Sequence, residues 1–93
     1  MVYVVERYLP GVSRAELERQ LERLEHMTRG TQVEYLGSTL VPDDEACFCE
    51  FDGPSEEAIA DANRRAGLPF DRIVAGIALA PIGRERMLRT EQP

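Results

Sequence analysis

The sequence predicts an α+β domain of ferredoxin-like type, βαββαβ, with a four-stranded antiparallel sheet and two helices on one of its faces. Three observations carry this. The chain opens on a run of β-branched and aromatic residues, Val2 to Leu9, closed by Pro10-Gly11; two amphipathic helical patterns follow Ser13 and Pro54; and the remaining β-like runs fall as a pair between the helices and a single one after the second. A split βαβ connection of these elements gives the strand order 4-1-3-2, with the first strand in the interior of the sheet.

Each element has its own justification. Val2, Tyr3, Val4, Val5 and Tyr8 are apolar at both parities, as a central strand requires, and Glu6-Arg7 in their midst must face solvent or find partners. Ser13 stands three residues before Glu16, the spacing of a capping box, so a helix starts there; Leu17, Leu21, Leu24 and Thr28 make its packed stripe and Gly30 its end. Val33 to Val41 is a strand with Val33, Tyr35, Gly37 and Thr39 expected on one face and Glu34, Leu36, Ser38 and Leu40 on the other, Gly37 suggesting a bulge. Pro42-Asp43-Asp44-Glu45 turns the chain into a returning strand, Ala46 to Phe51. Pro54 suits the first turn of the second helix, which packs Ala58, Ile59, Ala62 and Ala66 and stops at Gly67-Leu68-Pro69. Arg72 to Leu79 is the last strand; residues 1–83 form the domain and 84–93 a polar tail.

Composition bounds the function. A chain of 93 residues is one domain with a modest core. The net charge of −6, from 17 acidic against 11 basic residues, lacks the basic footprint of a nucleic-acid binder. Every basic residue is arginine, and the absence of lysine excludes Schiff-base chemistry. No apolar run is long enough to span a bilayer and no leader pattern opens the chain, so a cytoplasmic protein without a membrane partner is expected.

Two helices cover one side of the sheet, which leaves the other side bare. Strands one and four carry apolar residues at both parities, so the bare side requires a cover, and a second copy of the same sheet supplies one: a homodimer closed as an α+β barrel is expected. Glu6 and Glu50 share a parity with Val4 and Phe48 on adjacent strands. Facing the barrel with Tyr8, Tyr35, Thr39 and Phe48, they would line a pocket able to hold a cation or to serve as acid and base. The plainer alternative is that Glu6 pairs with Arg7 or Arg72. Cys47 and Cys49 point to the opposite face, where they are either two small buried hydrophobes or, with Met27 or His26, soft-metal ligands; a disulfide between alternate residues of one strand is unfavourable. His26 alone makes no multi-histidine site.

Val5-Glu6-Arg7 with Pro10, Tyr35-Leu36 with Ser38, Cys49, and above all Glu57-Ala58-Ile59 running to Arg64-Arg65-Ala66-Gly67-Leu68-Pro69 and Asp71-Arg72-Ile73, resemble a small bacterial family of nickel-responsive, nickel-binding proteins. The resemblance covers about Met1 to Leu79 and implies a dimeric α+β barrel, with nickel or another divalent metal as the implied cofactor. Family members usually carry a histidine at the positions held here by Gly37 and Ala62, so two imidazole ligands are missing. Two functions follow as expectations: a dimeric binding protein holding a metal ion or small ligand between its sheets, or a cofactor-free isomerase, cyclase or monooxygenase of a small aromatic or polyketide substrate, in which Glu6 or Glu50 shuttles the proton.

Overall fold

A computed structural model describes residues 1–79. Its elements are β1 (Val2–Tyr8), α1 (Arg14–Thr28), β2 (Glu34–Val41), β3 (Ala46–Asp52), α2 (Glu56–Arg65) and β4 (Arg72–Gly76), with a short 3₁₀ turn at Pro42–Asp44. The strands form one antiparallel sheet in the order β2-β3-β1-β4, the order expected of the split βαβ connection, with β1 between β3 and β4. The polar tail and the domain boundary at residue 83 lie outside the described residues.

Both helices start where a serine side chain replaces a missing intrahelical acceptor. Ser13 Oγ accepts from the Glu16 N–H at 3.1 Å, and Ser55 Oγ accepts from the Ala58 N–H at 3.1 Å. Pro54 therefore precedes the cap of α2 instead of lying in its first turn. The reciprocal arm of the capping box is absent among the described bonds, since the Glu16 carboxylate accepts from Gln20 Nε2 one turn on. At the end of α2, Gly67 adopts φ +73°, which lets Leu68 N–H reach back to the Asn63 carbonyl at 3.0 Å and stops the helix.

The core lies between the helices and one face of the sheet. Tyr3 and Val5 of β1 and Cys47, Cys49 and Phe51 of β3 meet Leu17 and Leu24 of α1, Ile59, Ala62 and Ala66 of α2, and Leu68. Alternation fixes the faces: β1 and β3 are each buried at every second residue, and cross-strand partners share a side, Val5 opposite Cys49 and Tyr3 opposite Phe51. Burying each large aliphatic or aromatic side chain here is worth about 1.5–3 kcal/mol.

Two expectations need correction. The last strand ends at Gly76, not Leu79, because its partner runs out: Gly76 pairs with Val2, and Met1 turns instead to β3, its carbonyl accepting from Gly53 N–H and its amine binding Asp52. Ile77 and Leu79 are left 86% and 93% exposed. In β2 the period-2 reading fails at Leu36. Tyr35 pairs with Phe51 but Gly37 pairs with Glu50, so Leu36 is the extra residue of a bulge and the side chains change face across it. Gly37 sits at φ +148°, a backbone region open mainly to glycine, which is the local feature that permits the change.

Candidate functional site

The face of the sheet that carries no helix among the described residues displays Val2, Val4, Glu6 and Tyr8 from β1, the opposing Phe48 and Glu50 from β3, Thr39 from β2 and Arg72 and Val74 from β4, as the register dictates. Val2, Val4, Phe48 and Val74 are only half-buried. Glu6 stands opposite Phe48 and Glu50 opposite Val4, so the two carboxylates are diagonal neighbours on adjacent strands. Glu6 is not free: Arg72, its partner in the β1–β4 register, donates Nε–H to its carboxylate, and the Glu6 side chain remains 28% exposed. Tyr8 ends its strand 57% exposed.

Tyr35, expected beside Glu6 on this face, lies on the helix side instead. The bulge at Leu36 carries its ring against Phe51, with centroids 5.4 Å apart, while leaving Gly37 and Thr39 on the open side. The same bulge bears on the two positions where the resemblance implies histidines. Gly37 faces outward opposite Glu50, whereas Ala62 is buried on the core side of α2, so the two positions do not converge within one chain.

The helix side holds a second constellation. Arg7, 1% exposed, sends Nη2–H to Asn63 Oδ1 at 2.7 Å and Nη1–H to the Pro69 carbonyl at 3.2 Å, while its Nε has no partner. Directly opposite Arg7 is Cys47, and Cys49 is the next residue inward on the same strand face. The two sulfurs lie 3.8 Å apart. Ser38 donates its hydroxyl to Cys49 Sγ at 2.8 Å and is itself hydrogen-bonded to the Tyr35 hydroxyl. Both thiols are free and buried. The hydrogen bond from Cys47, then the Arg7 guanidinium and the Ser38 hydroxyl, hold the Cys49 thiol below its ordinary range against the opposing effect of burial. Cys47 moves the other way, since its proton is kept by the bond to Cys49 and by desolvation. Burial likewise raises the Tyr35 hydroxyl.

His26 lies exposed in the last turn of α1 and Met27 is 39% exposed, so neither joins the buried thiols. Among the described residues no three His, Cys, Asp or Glu side chains gather in a way that could hold a metal ion. Beside the thiols, Leu17 and Leu21 of α1 and Tyr35, Ser38, Leu40 and Cys47 of the sheet line a cleft of about 460 Å³. Sequence reasoning missed Asn63, the acceptor for the guanidinium of buried Arg7; the signal was Arg7 itself, an arginine inside an apolar strand that needs a partner.

Residues 3–75 match the model of the family described as "Nickel responsive protein SCO4226-like". Among solved structures, the crystal structure of SCO4226 from Streptomyces coelicolor A3(2) superimposes with a TM-score of 0.77 at 20% identity, over 86% of this chain and 100% of that one. Comparison with curated proteins finds no match.

Proposed function

Because the chain belongs to the SCO4226-like family of nickel-responsive proteins, we propose that it is a cytoplasmic homodimeric binding protein whose two uncovered sheet faces close on each other as an α+β barrel and hold a metal ion or small ligand between them. The observation that carries this is the composition of the open face, on which half-buried Val2, Val4, Phe48 and Val74 surround Glu6, Glu50 and Thr39. An apolar sheet surface of this kind is a normal subunit interface, and carboxylates within it need a positive partner once water leaves. Arg72 supplies that partner for Glu6. Glu50 is left to face the partner's sheet, and two-fold symmetry would bring a pair of such carboxylates to one central space.

Oxygen donors without imidazole favour hard divalent ions over nickel, and two free buried cysteines suit a reducing compartment. No helix among the described residues is long and apolar enough to cross a membrane. The test joins light scattering with a thermal-shift screen of divalent ions and planar aromatic compounds. A dimer is expected at micromolar concentration, and a true ligand at about 100 times its Kd adds about 2.7 kcal/mol of stability, visible as a rise in Tm that Glu50→Gln abolishes. A monomer, or a Tm indifferent to every compound, overturns the proposal.

A further inference from the structure

The thiols on the helix side belong to no part of that reading, yet they are arranged as a site. Thiolates bound to a common ion at about 2.3 Å lie roughly 3.8 Å apart in tetrahedral and roughly 4.0 Å apart in trigonal geometry. Cys47 Sγ and Cys49 Sγ are 3.8 Å apart, sharing a hydrogen bond at the separation that two thiolates on one ion would have. A covalent bond between them would instead draw the sulfurs in to about 2.05 Å, against the divergence of alternate residues on one strand.

The surroundings select the ion. Among the described residues buried Arg7 has no carboxylate against it and no partner for Nε, and it stands directly opposite Cys47 on the neighbouring strand. A buried cation without a counter-charge is costly, and two thiolates beside it leave a single negative charge. A monovalent ion cancels that charge; a divalent one overshoots it. Around the sulfurs, Ser38 holds Cys49 by hydrogen bond and Tyr35 holds Ser38, an outer layer of the kind that orients metal ligands. Cys47 also lines the cleft between α1 and β2, which gives an ion a way in and room for a third donor from solvent.

We propose that Cys47 and Cys49 form a binding site for one soft monovalent metal ion of the copper(I) type, on the opposite side of the sheet from Glu6 and Glu50. On binding, any proton still held by either sulfur passes to solvent as its S–H bond breaks, and two metal–sulfur bonds form with no change in oxidation state. Thiolates favour copper(I) over harder ions, and Arg7 sharpens that preference against zinc(II) and nickel(II).

The test is an anaerobic titration of the reduced full-length chain with copper(I), read by the thiolate-to-copper ultraviolet band and by competition with a chromophoric copper(I) chelator. One equivalent per chain is expected, lost in Cys47→Ser and in Cys49→Ser and retained in Glu50→Gln, which separates this site from the open-face one. Circular dichroism checks that each variant is folded, and Cys47→Ala and Cys49→Ala replace any serine variant that is not. Arg7→Met is expected to lower the preference for copper(I) over zinc(II). Failure to bind copper(I), binding that survives loss of both thiols, or equal affinity for zinc(II) in the unaltered chain overturns the proposal.

Discussion

Arg7 illustrates how one side chain can govern a core. Its charge is sealed inside, and Asn63 Oδ1 is its closest acceptor at 2.7 Å, so removing that acceptor strands a buried cation. Asn63→Ala is expected to cost about 3 kcal/mol in urea denaturation, whereas the paired change Arg7→Met with Asn63→Leu should cost distinctly less. The thiols opposite give a pH signature. The fold holds Cys49 below the ordinary thiol range, so its contribution to stability is complete above the unfolded thiol value of about 8.5 and is lost as pH falls through the lowered folded value. Cys47 is raised, so its contribution is complete below about 8.5 and is lost as pH rises beyond it. Denaturation across a pH series should therefore show the acid-side loss flattened in Cys49→Ser and the alkaline-side loss flattened in Cys47→Ser.

The elements follow from local rules apart from the start of α2, the end of β4 and, most consequentially, one whole strand. The Ser13 cap, the Gly67 stop and the 3.6-residue apolar stripes mark the helices in the sequence, whereas the Ser55 cap lies where Pro54 was expected to open the first turn; Ser13→Ala or Ser55→Ala should each cost about 1 kcal/mol by chemical denaturation. The strand is β2. Strict alternation puts Tyr35 and Thr39 on one face, and the bulge at Leu36 separates them, which removed Tyr35 from the expected pocket while leaving Glu6, Glu50 and Thr39 together on the open side. Gly37 hinted at an irregularity but not at its register, because a bulge shows only when the opposing strand is laid beside it. Gly37→Ala isolates the backbone cost: nothing lies within 4 Å of the added methyl, so the expected loss of about 1–3 kcal/mol is conformational strain alone. Asn63 was equally hidden, since its pairing with Arg7 spans 56 residues and leaves no periodic trace.

At the scale of the whole molecule, the order β2-β3-β1-β4 was legible because it follows from the connection of the elements, while the ligand was not, because identity of a bound group depends on a few side chains that the same architecture leaves free. The proposed pairing of sheets makes one prediction here. Phe48→Lys on the open face should yield a folded monomer by light scattering with an unchanged far-ultraviolet spectrum, since a charge there disturbs the interface and not the helix-side core. The reach of Arg7 has a further consequence for how the polypeptide can be divided. The order of elements consists of two βαβ repeats, β1-α1-β2 and β3-α2-β4, yet the first carries the guanidinium on its inner surface while the acceptors, Asn63 and Pro69, are both in the second. A fragment cut after Asp52 would have to keep that cation wet and could not dry its own interior. The two halves are therefore not autonomous modules, and a ribosome must deliver α2 before the first strand can finish settling into place.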